Sequence, residues 1–117
     1  MNIIRITNKR SKVRFAKLET VEIEFTAEIW LYPGNGAWYF ITVPKDFTKD
    51  LEQISQNIKR GFGSVRVQAT IGKSTWKTSV FPDKKAGTYL MPIKKEVRKQ
   101  NNLKDRNETQ VKLLVGL

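Results

Sequence analysis

The chain has 117 residues and a formal charge of +11, with 22 Lys and Arg against 11 Asp and Glu, and it contains neither cysteine nor histidine. Disulfides, thiolate nucleophiles, zinc–thiolate sites and iron–sulfur clusters are thereby excluded, and the commonest general base and transition-metal ligand at neutral pH are missing. Hydrophobic residues at 39% and charged residues at 28% suit one globular core at this length, while so large an excess of cations favours phosphate-bearing or otherwise anionic partners.

Residues 1–20 carry Arg5, Lys9, Arg10, Lys12, Arg14 and Lys17 against Glu19, without sustained periodicity. They read as a basic arm, flexible or loosely attached, ahead of a single domain over 21–117. No secretory h-region follows Met1, and the apolar stretches around Trp38–Val43 and Leu113–Val115 are far shorter than the roughly 20 residues of a membrane-spanning helix, so the expected location is cytoplasmic.

From Val21 the pattern becomes strict alternation. Val21, Ile23, Phe25, Ala27, Ile29 and Leu31 form one apolar face, and Glu22, Glu24, Thr26, Glu28 and Trp30 form the opposite, solvent face of a strand. Pro33-Gly34-Asn35-Gly36 reverses the chain into a second strand, Trp38–Val43, ended by Pro44. Phe47, Leu51, Ile54 and Ile58 then recur at helical spacing and predict an amphipathic helix over about 47–60, with Gly61 as its stop signal. Val65–Ile71 and Thr75–Val80 alternate as a hairpin about Gly72-Lys73. Pro82–Gly87 reads as a loop, Thr88–Ile93 as a strand, Lys94–Gln100 as a short helix and Gln110–Val115 as the last strand. The order describes a mainly β fold, a small closed antiparallel barrel with two helical inserts, since closure removes strand edges.

Few motifs carry chemistry. Gly61-Phe62-Gly63 follows a helix and precedes a strand, the reverse of a phosphate-binding glycine loop, and reads as a helix stop and strand entry. The glutamates at 22, 24 and 28 read as a solvated face and not as a metal or acid–base pair, so no catalytic residue, metal ligand or cofactor site is assigned. The densest basic patch is the short helix, where Lys94, Lys95, Arg98 and Lys99 share a broad face and Lys84 and Lys85 precede them in the loop. Those six residues are the candidate site for nucleic acid or another polyanion. An alternative is a small anionic ligand held in the barrel mouth against Arg98, with Trp38 or Trp76 lining the cavity; a protein-interaction or assembly module is a third reading. Trp30, Trp38, Trp76 and Tyr89 are candidate stacking surfaces, Trp30 standing out because alternation sets it among the glutamates.

The run Phe25-Thr26-Ala27-Glu28, Trp38–Pro44, Gly63–Val67, Gly72, Trp76–Val80, Gly87–Ile93 and Val97-Arg98 resembles DUF1905, a family of small bacterial and archaeal domains of unknown function that also occurs fused to a bacteriocin-protection YdeI/OmpD-associated segment. The resemblance extends from about Phe25 to Val115 and implies a closed six-stranded barrel akin to the cradle-loop barrels. Its motifs are strand cores and turns and carry little about activity. The segment Met91–Arg98, with Leu103 and the late strand, is also similar to half of an AbrB-type swapped-hairpin DNA-binding domain, which implies nucleic acid as a partner; such a domain is an interlocked dimer of half-barrels, whereas this chain reads as holding a whole barrel by itself. Where that pattern has a Gly-Asp turn this chain has Asn107-Glu108, and Asn107 can take the left-handed conformation such a turn needs.

Overall fold

The alternating segments become strands of one sheet that closes on itself. A computed structural model describes residues 3–7, 20–34, 36, 38–58 and 63–116, and the side chains of 21–34, 36, 38–53 and 63–115. Its strands are β1 (Ile3–Thr7), β2 (Thr20–Leu31), β3 (Tyr39–Thr42), β4 (Val65–Ile71), β5 (Ser74–Asp83), β6 (Thr88–Pro92) and β7 (Glu108–Gly116). A 3-10 turn at Lys45–Phe47 leads into helix α1 (Thr48–Ile58), and helix α2 (Lys95–Gln100) links β6 to β7. Antiparallel pairing runs β2-β3-β6-β5-β4-β7 and returns from β7 to β2, giving a six-stranded barrel. All six strands come from one chain, unlike the two half-barrels that an AbrB-type arrangement implies.

The inward set follows the period of two. Val21, Ile23, Phe25 and Ile29 of β2 are buried together with Ile41, Val65, Val67, Ala69, Ile71, Val80, Met91, Val111, Leu113 and Val115. Two positions on β2 depart from the simple alternation. Glu22, expected on the solvent face, is only 6% exposed, because this end of β2 is flanked on both sides. Leu31, expected inside, is 41% exposed, because it lies at the barrel rim, where the strand ends.

The basic arm contributes structure at its start. Ile3–Thr7 pairs parallel with Thr20–Glu24, whereas residues 8–19, with Lys9, Arg10, Lys12, Arg14 and Lys17, lie outside the described residues. β7 pairs with the same stretch of β2, so β1 and β7 must occupy opposite edges. Leu31 N–H points to the β7 side, where it donates to Asp105 Oδ1 at 2.9 Å, and Tyr32 N–H points the other way, donating to the Trp38 carbonyl at 2.8 Å. β3 therefore shares its edge of β2 with β1, each pairing a different part.

Two turns differ from the sequence expectation. The Pro82–Gly87 loop is shorter than expected, because β5 continues through Pro82 to Asp83. Pairing with β4 stops at Val80, so the missing N–H of Pro82 interrupts no ladder on that side. Before β7, the left-handed residue is Arg106, with φ 73°, and not Asn107. Asn107 closes the turn with its side chain instead, its Oδ1 accepting from Lys104 N–H at 2.7 Å.

β3 and β6 run in opposite directions, so the start of β3 and the end of β6 define one mouth of the barrel, and their other ends define the second. The second mouth is filled by the 3-10 turn and α1. Phe47 and Leu51 are fully buried there, and the Phe47 ring lies 5.9 Å from that of Phe25. Ile54 and Ile58 complete the predicted stripe, but their side chains, like Gly61 and Phe62, lie outside the described set.

Tyr89 is buried near this mouth, and burial, reinforced by the negative charge of Glu52, raises its phenol above the usual 10.0. The unfolded chain therefore loses this proton first as pH rises, and the folded state loses stability from about pH 10 up to the raised value. In urea titrations at about pH 8 and about pH 11, Tyr89→Phe is expected to show the smaller fall in midpoint, because the substitution removes that proton from both states.

Candidate anion-binding groove

The mouth at the start of β3 is shaped by α2, a helix of six residues that buries only Val97 among its own side chains. So short a helix is marginal by itself and depends on its anchors. Its C-terminus is closed by paired bonds from Leu103 N–H to the Arg98 carbonyl, 2.8 Å, and from Asn102 N–H to the Lys99 carbonyl, 3.3 Å, with Asn102 left-handed at φ 51°. That is a Schellman closure with asparagine where glycine is usual. Asn101 then ties the helix to the β4–β5 turn. Its Oδ1 accepts from Lys73 N–H at 2.8 Å, and its Nδ2 donates to Ser74 Oγ and to the Val97 carbonyl, both at 2.9 Å. Ser74 Oγ donates in turn to Gln100 Oε1.

With α2 fixed, Arg98 lies across the mouth. Its guanidinium sits 3.9 Å from the centre of the Tyr39 ring, and its Nε donates to the Ile93 carbonyl at 3.2 Å. Stacking and that bond fix the plane of the fork, and the two terminal nitrogens take no partner among the described residues. Beside it opens a groove of about 480 Å³ lined by Trp38, Tyr39, Trp76, Lys77, Thr78, Pro92, Ile93, Lys94, Lys95 and Arg98. Among the described residues four cations and three aromatic rings face this space and no carboxylate lines it. Lys94 also makes a 4.0 Å contact with Glu96, both side chains being well exposed, so this pair neutralises little of the groove's charge.

Of the residues singled out in the sequence, Trp38, Trp76, Lys94, Lys95 and Arg98 meet in this groove. Lys99 is exposed on α2 but does not line it. Lys84 and Lys85 are in the β5–β6 turn, about 15 Å away along β6 at the opposite mouth. There Lys84 borders a smaller hollow of about 160 Å³ together with Glu52 and Asp83, whose carboxylates offset its charge. The five lysines and one arginine of the sequence-derived patch therefore do not form one surface. Tyr89 is buried and offers no stacking face, while Trp30 is half-buried with its Nε1–H donating to Thr42 Oγ1 at 2.9 Å.

Tyr39 and Lys77 belong to the groove and were not singled out. Lys77 stands next to Trp76 on a strand, but sequence alone does not show that β5 passes beneath α2. Tyr39 faces inward by its register with Ile41, and its position at the first residue of β3 leaves the ring partly uncovered. Glu24, Glu28 and Glu108 lie on the β2–β7 pair, neither strand of which lines the groove, with Gln110 Nε2 donating to Glu24 Oε2 at 3.1 Å. Among the described residues no helix is long and apolar enough to cross a membrane.

A search of the curated proteins found no match. The sequence profile of the domain of unknown function DUF1905 matches residues 25–113, from the middle of β2 to the core of β7, and so takes in β3, β4, β5 and β6 whole, parts of β2 and β7, both helices and all ten residues lining the groove. With well over half its length inside that match, the chain belongs to the DUF1905 family.

Proposed function

We propose that the domain is a binding module for a polyanionic partner, held at the α2 mouth by Lys77, Lys94, Lys95 and Arg98. The observation that carries this reading is the state of Arg98, whose fork is oriented by Tyr39 and the Ile93 carbonyl and whose two terminal nitrogens take no partner among the described residues, in a groove that no carboxylate of those residues lines. Such a fork suits paired phosphate or carboxylate oxygens. Net charge alone would act through a diffuse field, whereas converging cations give a defined seat.

Titration of labelled RNA, DNA and inorganic polyphosphate at two salt concentrations tests the reading. Binding should weaken steeply with salt, and Lys77→Gln combined with Lys95→Gln should reduce the slope of log Kobs on log salt by about 1.4 to 1.8. Arg98→Lys keeps the charge but loses the planar fork, and should weaken binding about tenfold. Absence of binding at low salt, or salt-independent binding, would dismiss the proposal.

A second reading is a single small anion between Trp38 and Trp76, favoured by a hollow within the roughly 300–1,000 Å³ range of small-molecule sites. It would show as thermal stabilisation by one phosphorylated or carboxylated metabolite at concentrations above its Kd.

A further inference from the structure

The outer face of the β2–β3 hairpin carries four aromatic side chains in two cross-strand pairs. Trp30 is in register with Phe40, ring centres 5.3 Å apart, and Tyr32 is joined to Trp38 through its backbone N–H. Trp30 and Tyr32 are 6.3 Å apart, Tyr32 and Phe40 6.1 Å, and Trp38 and Phe40 6.3 Å with their planes within 14°. The pair nearest the turn is the most open, with Trp38 60% and Tyr32 51% exposed. Rings this large are seldom left in water as a connected cluster without a partner.

This cluster is continuous with the groove. Trp38 belongs to both, and Phe40 is in register with Pro92, which also lines the groove. An occupant spanning them would meet cations on one side and flat apolar rings on the other. A single-stranded nucleic acid offers that combination, with phosphates along one side and unstacked planar bases along the other. A duplex hides its base faces, and polyphosphate has none. Exposed Glu28, two residues before Trp30 on the same face of β2, sets an acidic limit at the far end, so the strand would lie over Tyr32 and Trp38 and not run on along β2.

We propose that the polyanion is single-stranded nucleic acid, its backbone in the groove and its bases on Trp38 and Tyr32. This rests on the reading of the groove as an anion site, and the two separate experimentally. Fluorescence anisotropy with an oligonucleotide of about a dozen thymidylates, its uridylate counterpart, a duplex of similar length and inorganic polyphosphate supplies the arms. The single strands should bind at least tenfold more tightly than the duplex. Trp38→Ala and Tyr32→Ala should each weaken single-strand binding about tenfold, Tyr32→Phe should restore it, and polyphosphate binding to Tyr32→Ala should be unchanged. Equal affinity for duplex or polyphosphate, or full single-strand affinity in Tyr32→Ala with an unaltered melting curve, overturns base stacking and leaves the groove reading intact. No binding of any polyanion overturns both. A concentration-dependent dimer of the purified chain that Tyr32→Ala dissolves would also overturn it, assigning the aromatic face to a second copy.

Discussion

Phe47→Ala is expected to lower the unfolding free energy by about 3–5 kcal/mol, a large share of the 5–15 kcal/mol available to a domain of this kind. The ring is 1% exposed and, among the described residues, is the largest of the fully buried side chains. It stands on a 3-10 turn and not within a strand, so its removal leaves a void between Phe25 and the start of α1 that the rigid barrel wall cannot close. Urea titration should show a lower midpoint with an unchanged slope, since the surface exposed on unfolding is nearly the same. Lys49→Ala, an exposed position on α1, should stay within about 0.5 kcal/mol of the parent. Because Phe47 fills the mouth opposite the groove, polyanion affinity of the folded fraction should be unaltered.

The second large effect belongs to Asn101. Alanine there removes the acceptor for Lys73 N–H and the donor to Ser74 Oγ and the Val97 carbonyl, and leaves the buried Ser74 with one partner fewer. The expected cost is about 2–3 kcal/mol. Unlike Phe47→Ala, this change should also weaken polyanion binding, because α2 carries Lys95 and Arg98 and is held at its C-terminal end through Asn101. Gly72→Ala should act in the same direction. Gly72 sits at φ +54° at the first central position of a two-residue hairpin turn, and a Cβ there would overlap Asn101 Oδ1. Stability from urea titration and affinity from anisotropy, measured on each variant, separate the two mouths. A loss of affinity with Phe47→Ala, or none with Asn101→Ala, would contradict this division.

Much of the barrel can be read from the sequence because its physics is local. Val65, Val67, Ala69 and Ile71 announce a half-buried strand by spacing, and Phe47 and Leu51 announce a helix in the same way. Departures occur where burial depends on distant segments. Glu22 follows the strand's own alternation, yet its surroundings are set by β1 and β7, whose pairing no local pattern specifies. The groove shows the same division. Lys94, Lys95 and Arg98 share a helix and can be grouped from spacing, but the arrival of Trp76 and Lys77 from β5 is a matter of tertiary packing. Lys84 and Lys85 mislead for the complementary reason: ten residues of separation say nothing about direction, and β6 carries the chain from one end of the barrel to the other between them.

The shared edge of β2 has one more implication. β3 pairs only Ile29–Leu31 there, so the five residues Ile3–Thr7 form a cover over Thr20–Glu24 that the barrel itself does not supply. A molecule whose first strand came away would present a ready template of unsatisfied amides and carbonyls, open to a strand from any neighbour. In that sense the leading segment protects the domain against its own kind, whatever its cations do.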